Sequence, residues 1–393
     1  MTEYIRFKDP SKCYGCNACV QICPRAAILM EPNDEGFLYP IIDASKCINC
    51  GLCAKICPAE NISSTNIPMK VYAAQDKNLS VLLDSSSGGL FSAFAEQIIA
   101  DGGYVVGCIF NEELRAVHVL TNRKELVEKM RGSKYVQSDI RGIYNQIKTY
   151  LIAGHKVLFT GTPCQVDGLK RFLCKDYETL ITIDLICHGV PSPLLLSSYL
   201  KSVSERKGKV TDIRFRDKKR NGWRSQGSIS YNNKVKTISP YNSSYYYYYL
   251  QNSVSRICCY SCKYSSVKRV SDITIGDYWN IEKVMPEINS KNGYSVCLIN
   301  TIRGNKFFDN VKDKLYYYET TLEDAVKGNG NLSSPCPMPS DRKDIYYRIK
   351  KEGWAQVEKT EFKPKKFLPF IQKCVPKSIK RGIKKILFGG DEC

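Results

Sequence analysis

The sequence predicts a small α+β domain over residues 1–62 followed by a larger α/β region. Cysteines crowd the first part at regular intervals, whereas apolar runs of strand length alternate with helical patterns in the second. The chain is 43% hydrophobic and 25% charged, which is the balance of a globular protein. It contains no apolar run near the ~18 residues of a membrane-spanning helix, and its first residues lack the apolar core of a secretion signal. We therefore expect a cytoplasmic protein.

The nineteen cysteines point to metal binding or redox chemistry rather than disulfides in such a chain. Two runs share the spacing Cys-x2-Cys-x2-Cys-x3-Cys-Pro, in which three thiolates surround one 4Fe–4S cluster and the fourth cysteine reaches the other. This assigns Cys13, Cys16, Cys19 and Cys57 to a first cluster, and Cys23, Cys47, Cys50 and Cys53 to a second. Zinc held by CxxC pairs is the alternative, which the complete repetition of the run disfavours.

A turn rich in serine and glycine follows, from Asp84 to Gly89. It opens a predicted helix that ends at Gly102, and free amides at a helix start favour a phosphate, although a plain capped turn has the same sequence. Short strands are predicted at 104–110 and 116–120. The loop Gly132–Tyr135 then brings a cation and a ring beside a glycine, which suits a phosphate and a flat ligand or an ordinary surface loop.

The runs 156–165 and 180–189 predict a strand, a helix and a second, parallel strand. Cys164 and Cys187 then lie just beyond the carboxyl ends of parallel strands, where open α/β sheets place their sites. Cys259 and Cys262 add a CxxC pair, so that four thiolates are available for a third 4Fe–4S cluster. Zinc on the same thiolates, and Cys258 in place of Cys259, remain open at this point.

The motifs SSSGG, RGSKY, GTPCQ, CHGVPS and SDITIGDYW, in this order, resemble the family of coenzyme F-420 hydrogenase and dehydrogenase beta subunits, in its bacterial form with a fused amino-terminal ferredoxin domain. The resemblance covers about residues 1–325. It implies a ferredoxin-like two-cluster domain at 1–62 and a non-Rossmann α/β flavin-binding region in two parts, 70–155 and 156–325, followed by a basic tail at 326–393. The lack of a GxGxxG turn behind a strand agrees with this fold.

The resemblance also implies cofactors and site residues. FAD is expected at Ser87, Gly88, Gly89, Lys134 and Tyr135, and the third cluster at Cys164, Cys187, Cys259 and Cys262. His188, which follows a proposed ligand, is the candidate proton donor, and Asp277 is a second candidate catalytic residue.

These expectations define a ferredoxin-linked, FAD-dependent oxidoreductase that passes electrons between 4Fe–4S clusters and an organic two-electron acceptor. Its expected partners are a redox protein or ferredoxin and a small-molecule acceptor, with polysaccharide biosynthesis as a candidate setting. The alternative is a non-catalytic electron relay, a ferredoxin fused to a docking domain, which would hold no flavin. Neither the acceptor nor the direction of electron flow follows from the sequence.

The net charge of +19 attracts anions. Its densest stretch, 215–224, is interpreted either as a face that holds an anionic substrate or as a solvated surface. Nucleic acid is not expected, although Tyr231, Tyr241 and the tyrosines of 245–249 offer rings for base stacking. The tail segment 363–393 is basic and amphipathic, and it is a candidate either for contact with an anionic membrane at its inner face or for docking on the protein itself.

Overall fold

The computed structural model describes residues 10–362, which form three β-sheets and the helices around them. The strands are β1 (Ile28–Pro32), β2 (Leu38–Ile42), β3 (Lys70–Asp76), β4 (Tyr104–Phe110), β5 (Ala116–Thr121), β6 (Val157–Gly161), β7 (Leu180–Leu185), β8 (Val210–Arg214), β9 (Gly227–Tyr231), β10 (Lys234–Ile238), β11 (Ile273–Asp277), β12 (Ser295–Ile299) and β13 (Leu315–Glu319).

The α-helices are α1 (Ala18–Ile22), α2 (Leu52–Lys55), α3 (Leu79–Asp84), α4 (Leu90–Ala100), α5 (Lys124–Met130), α6 (Ile143–Ile152), α7 (Pro163–Leu173), α8 (Pro193–Lys207), α9 (Lys218–Asn221), α10 (Ser244–Leu250), α11 (Ile281–Val284), α12 (Ile302–Asp309), α13 (Leu322–Gly328), α14 (Arg342–Glu352) and α15 (Trp354–Glu361). Short 3-10 turns occur at Pro10–Lys12, Ile257–Ser261, Lys312–Lys314 and Gly330–Leu332.

The largest sheet has eight strands in the order β13-β3-β12-β11-β7-β6-β4-β5. Its centre is parallel, with β4, β6, β7 and β11 running in one direction, and its edges are antiparallel. The parallel crossover predicted for 156–189 is confirmed as β6, α7 and β7, with Val157 opposite Leu180. The predicted strands at 104–110 and 116–120 are confirmed as the antiparallel pair β4 and β5. The mixed α/β class is therefore confirmed.

The central strands are buried because helices cover both faces of the sheet. On one face, Phe159 of β6 packs with residues of α6 and α7. On the other face, Leu158 and Ile183 pack with Phe94 of α4 and with the phenylalanines of α12. Since β6, β7 and β11 are parallel, their carboxyl ends meet at one edge of the sheet, and the segments that follow them share one side of the molecule.

The amino-terminal cysteine-rich part consists of the β1–β2 hairpin and the short helices α1 and α2. Its apolar residues join the core on the α6–α7 face, where Ile56 and Ala59 pack in the same cluster as Leu169. Arg171 of α7 adds hydrogen bonds to the carbonyls of Ile56 (3.1 Å) and Lys55 (2.7 Å). This part is therefore docked on the helix that follows β6.

The tyrosine-rich helix α10 lies in the core. Tyr245, Tyr246, Tyr248 and Tyr249 are all buried beside Trp354 of α15. These four rings fill the interior and are not presented at a surface for stacking on bases. No helix within residues 10–362 is long and apolar enough to cross a membrane.

The first part of the predicted basic tail, residues 326–362, is folded. Helices α14 and α15 fold back onto the body, and Arg342 is buried there, with its guanidinium donating to the carboxylate of Glu35 at 2.8 and 2.6 Å. Arg342, Tyr346 and Trp354 of this stretch are buried and therefore contribute to packing. The predicted amphipathic segment 363–393 lies outside the described residues.

Candidate functional site

The first cysteine set comes together as the spacing predicts. Cys13, Cys16 and Cys57 are buried and Cys19 is half-buried. The thiols of Cys13, Cys19 and Cys57 are close enough to Cys16 for their charges to raise its pKa, an effect that adds to burial. A void of about 20 Å³ lies between them, lined also by Met30 and Pro40. Cys57, from the second run, thus completes the set of the first run.

The second cysteine set is closer to the surface. Cys50 is exposed, and Cys23, Cys47 and Cys53 are half-buried. Burial raises the pKa of the Cys53 thiol, and the neighbouring thiolates of Cys50 and Cys23 raise it further. Cys23 therefore lies with the second run, as the crossed assignment predicts. Cys53 also appears among the charged neighbours of Cys19, so the two sets adjoin.

A third group of thiols forms at the carboxyl edge of the parallel strands. Cys164 begins α7 after β6, Cys187 follows β7, and Cys259 and Cys262 lie in and after the 3-10 turn Ile257–Ser261. The thiolates of Cys262, Cys187 and Cys259 all raise the pKa of Cys164, after burial.

Cys258 is the rival of Cys259 for this group. Its charged neighbours include Cys259 and Cys164, whereas both Cys187 and Cys262 have Cys259 as a neighbour. The arrangement thus favours Cys259 as the member of the group. Within residues 10–362, no group of three or more His, Cys, Asp or Glu side chains closes around one point as the ligands of a single metal ion do.

Tyr14 and Gly168 lie where the first set meets the third. Tyr14 follows Cys13 in the chain, and its electrostatic neighbours are the thiols of Cys262, Cys258 and Cys164. Gly168 of α7 is one turn beyond Cys164, and a Cβ added there would stand 3.0 Å from both Cβ and Sγ of Cys16. The absence of a side chain at Gly168 therefore lets the helix that carries Cys164 pass directly against Cys16.

A cavity of about 2270 Å³ opens beside the third group. It exceeds the roughly 300–1,000 Å³ of ordinary small-ligand pockets. Its lining includes all four thiols of the group and the beginning of α4, with Ser87, Gly89, Lys134, Tyr135, His188 and Asp277. The candidate residues outside the amino-terminal domain, with the exception of Gly88, thus line the same cavity, although they come from segments almost two hundred positions apart.

The Ser/Gly turn is locked onto the sheet. The hydroxyl of Ser87 donates to the carbonyl of Tyr294 (2.9 Å), and the amide of Gly88 donates to the hydroxyl of Ser295 (2.9 Å). A Cβ at Gly88 would stand 2.2 Å from the carbonyl oxygen of Ala74, so this position packs against backbone and does not line the cavity. Gly89 begins α4 and does line it.

Lys134 and Tyr135 are held by the protein itself. The ammonium of Lys134 lies 2.9–3.0 Å from four backbone carbonyl oxygens at the end of α5, those of Lys129, Met130, Arg131 and Gly132, which share its three donors. Burial lowers its pKa to about 8. The ring of Tyr135 stacks on Tyr249 with centroids 4.4 Å apart. Lys134 therefore caps a helix, and the predicted contact with a phosphate would require it to leave those carbonyls.

Asp277 is the centre of a buried ion pair. Arg216 donates to its carboxylate at 2.8 and 3.2 Å, and the indole nitrogen of Trp223 donates to it at 2.8 Å. Arg216 also donates to the carbonyl of Ser86 (3.2 Å), and the ammonium of Lys218 donates to that of Ser87 (2.5 Å). Two cations of the basic stretch 215–224 thus contact the Ser/Gly turn from behind, and neither of them lines the cavity.

His188 faces the cavity beside Cys187. Its ring is exposed to the cavity yet enclosed by protein, which lowers its pKa, whereas the charge of Asp277 and a hydrogen bond with Asn331 oppose this shift. The ring is therefore placed where a molecule in the cavity could contact it.

Sequence reasoning missed Tyr14, Gly168 and Arg256. Arg256 is fully buried and donates to the carbonyl of Cys13 (2.7 Å). Its position two residues before Cys258 and Cys259 was the one feature of the sequence that could have indicated a role near the cysteines. For Gly168 no signal exists in the sequence, because its importance arises from a contact with a residue more than 150 positions away.

Two family models match the chain. A 4Fe–4S dicluster domain matches residues 12–61, and the C terminus of the coenzyme F420 hydrogenase/dehydrogenase beta subunit matches residues 154–325.

Individual relatives are more distant. The chain is 23% identical over 328 residues to one of the subunits of the F(420)H(2) dehydrogenase of Methanosarcina mazei, covering 78% of this chain and 84% of the relative. It is 25% identical over 205 residues to the coenzyme F420-dependent sulfite reductase of Methanocaldococcus jannaschii, covering 49% of this chain and 30% of that relative. A chain of the F420-reducing NiFe hydrogenase complex of Methanosarcina barkeri superposes with a TM-score of 0.46 at 17% identity, covering 75% of this chain and 92% of that one.

The matches to the two family models confirm the resemblance drawn from the motifs. The chain joins an amino-terminal 4Fe–4S dicluster domain, at residues 12–61, to a region at residues 154–325 that matches the C terminus of the coenzyme F420 hydrogenase/dehydrogenase beta subunit family.

Proposed function

We propose that the chain is an iron–sulfur flavoprotein oxidoreductase that passes electrons between its ferredoxin-type clusters and, through FAD, an organic two-electron acceptor. Electron transfer of the iron–sulfur oxidoreductase type follows from the family. The two relatives are by name a dehydrogenase and a reductase. The flavin, the third cluster, the acceptor and a role in polysaccharide biosynthesis are the proposed parts.

The cysteine groups fit 4Fe–4S clusters. The first set combines three thiols of the first run with Cys57 of the second, and Cys23 of the first run lies with Cys50 and Cys53 of the second, as the two-cluster pattern requires. Cys164, Cys187, Cys259 and Cys262 bring four thiols together, which is the number of ligands that a 4Fe–4S cluster takes. The exposed Cys50 supports electron exchange with a partner protein or ferredoxin at the second set.

The cavity fits a large anionic cofactor with a planar ring. The free amides at the start of α4 face it, and such amides favour phosphate. Ser87 and Gly89 are the residues that would hold the cofactor there, and Arg216 and Lys218 brace the turn from behind through the carbonyls of Ser86 and Ser87. When bound, FAD supplies the conversion between one-electron and two-electron transfer.

The chain's own residues have distinct roles in this proposal. Arg216 and Asp277 neutralise each other and keep the Ser/Gly turn in place, so that Asp277 acts as a structural counter-ion. His188 remains the candidate proton donor, because its side chain lines the cavity beside Cys187. The single observation that carries the proposal is the shared cavity, with four thiols on one wall and the start of α4 on another.

The test is the iron and flavin content of the anaerobically purified chain. Three 4Fe–4S clusters require about twelve irons per chain and two require about eight. We expect about twelve, with one releasable FAD. Cys187→Ser should reduce the count to about eight, whereas Cys174→Ser, at an exposed cysteine outside the three groups, should leave it unchanged.

About eight irons in the unaltered chain, with no flavin after reconstitution, would refute the catalytic proposal. The chain would then be the electron relay considered as the alternative. Zinc in place of iron would refute both.

A further inference from the structure

Arg256 is a fully buried cation at the junction of the amino-terminal domain and the third thiol group. Its relative exposure is 0%. The guanidinium donates to the carbonyls of Cys13 (2.7 Å) and Leu38 (3.0 Å) and to the side-chain oxygen of Gln137 (3.0 Å). It also lies 4.1 Å from the ring centroid of Tyr39. Every one of these partners is uncharged.

Other deeply buried arginines of the chain are paired with carboxylates. Arg269 pairs with Asp184 at 2.8 Å, Arg216 with Asp277 at 2.8 Å, and Arg342 with Glu35 at 2.6 Å. A buried cation without an anion is strongly unfavourable, because burial removes the hydration of the charge.

The groups near Arg256 that can become negatively charged are mainly cysteine thiols. The groups whose charges act on its guanidinium are, in decreasing order, Cys13, Cys258, Tyr39 and Cys259. Cys13 is a ligand in the proposed first cluster, and its own carbonyl accepts from Arg256. A 4Fe–4S cluster held by four thiolates is an anion, so it can supply the charge that the neighbouring side chains lack.

We propose that Arg256 is a positioning residue whose buried positive charge is the counter-ion of the first cluster and raises that cluster's reduction potential. Reduction adds an electron to an already anionic centre, and a fixed cation in a water-poor environment stabilises the reduced form more than the oxidised form. With clusters bound, such a shift would favour electron transfer from the exposed second set to the first set, which adjoins the third. The inference rests on the proposed ligation by Cys13, Cys16, Cys19 and Cys57, and it is independent of the flavin.

The test is an anaerobic redox titration of the full chain, followed by electron paramagnetic resonance of the reduced clusters. Arg256→Gln removes the charge but keeps hydrogen-bonding groups. At the midpoint potential of the unaltered first cluster, we expect the ratio of reduced to oxidised cluster to fall on the order of tenfold. Arg256→Lys keeps the charge and should stay close to the unaltered midpoint.

The matched control is the double variant Glu35→Gln/Arg342→Gln. It removes an ion pair of zero net charge whose arginine contacts the carbonyl of Ser255, directly before Arg256. We expect no shift of the midpoint in this variant. The second cluster serves as the reference within each sample.

An unchanged midpoint in Arg256→Gln, or equal shifts in the Gln and Lys variants, would overturn the proposal, because the effect would then not follow the charge. If Arg256→Gln takes up no iron, Arg256→Lys decides: full iron content with the unaltered midpoint supports the proposal, and a shifted midpoint or lost iron overturns it. Lack of iron in the unaltered chain would instead refute the proposed ligation.

Discussion

Replacement of Asp277 by asparagine separates its structural role from a catalytic one. The side chain of Arg216 is 1% exposed and that of Asp277 is 16% exposed, so the pair is largely removed from water. The asparagine would keep the shape of the side chain and an oxygen for the indole nitrogen of Trp223, but it would leave the Arg216 cation without an anion. Removal of one partner of a buried pair costs about 3–5 kcal/mol. We expect Asp277→Asn to lower the free energy of unfolding by about this amount.

The measurement is urea denaturation of the cluster-loaded chain, with the midpoint and slope compared between variants. Asp101→Asn is the matched control, since Asp101 pairs with Lys156 at 2.9 Å on the surface, where the lysine side chain is 53% exposed. Screening by water limits such a pair to about 1 kcal/mol or less. The same samples should show a lower FAD content in Asp277→Asn, because Arg216 also holds the Ser/Gly turn through the carbonyl of Ser86.

A stable Asp277→Asn variant that retains its flavin and loses turnover would refute this reasoning. That result would support the catalytic role for which the sequence made Asp277 a candidate. Equal destabilisation in Asp101→Asn and Asp277→Asn would refute the argument from burial.

Three further predictions follow from single contacts. Burial lowers the pKa of Lys218 to about 7, so between pH 7 and the ordinary pKa of lysine the unfolded chain binds more protons than the folded chain. The free energy of unfolding should therefore rise with pH across that window. Urea denaturation at each pH should show a smaller rise in Lys218→Met. Gly168→Val should separate α7 from Cys16 and destabilise the chain by about 1–3 kcal/mol, with lower iron content; an unaltered iron content and midpoint would contradict the close contact. Gly88→Ala should lower thermal stability more than Gly102→Ala, because the added Cβ at Gly88 would meet the backbone of Ala74, whereas at Gly102 it would meet nothing within 4 Å. Gly102 has a positive φ of 75°, which itself disfavours alanine, so the comparison is a stringent one. Equal losses of stability in the two variants would show that the Ser/Gly turn can move away from Ala74.

Local patterns predicted the elements that build the sheet. The buried runs at 157–161 and 180–185 are apolar and separated by a helix of the right length, so a right-handed parallel crossover was the natural arrangement. The same patterns put Cys164 and Cys187 at one edge. Short-range patterns could not predict the fate of the tyrosines of 245–249, because a polar ring packs in a core only when its hydroxyl finds a partner there. Tyr246 finds the carbonyl of Phe215 at 2.7 Å, and Tyr245 that of Tyr135 at 2.7 Å.

The role of charged residues was the least predictable part of the site. Lys134 looked available to a phosphate, yet it caps α5, and Asp277 looked available for proton transfer, yet it neutralises Arg216. A charge in a sequence has no partner until the chain folds, and its pairing decides whether it acts on a ligand or on the protein.

The sequence by itself determined the two-cluster domain, the family and the cysteines that group together, because cluster ligation depends on residue type and on spacing within a few positions. Only the tertiary structure decided which distant groups share the cavity, that Gly168 must lack a side chain, and that Arg256 is a buried cation with uncharged partners. These features depend on contacts between segments far apart in the chain. Burial, which sets both the cost of a charge and the room for a side chain, is a property of the packed molecule.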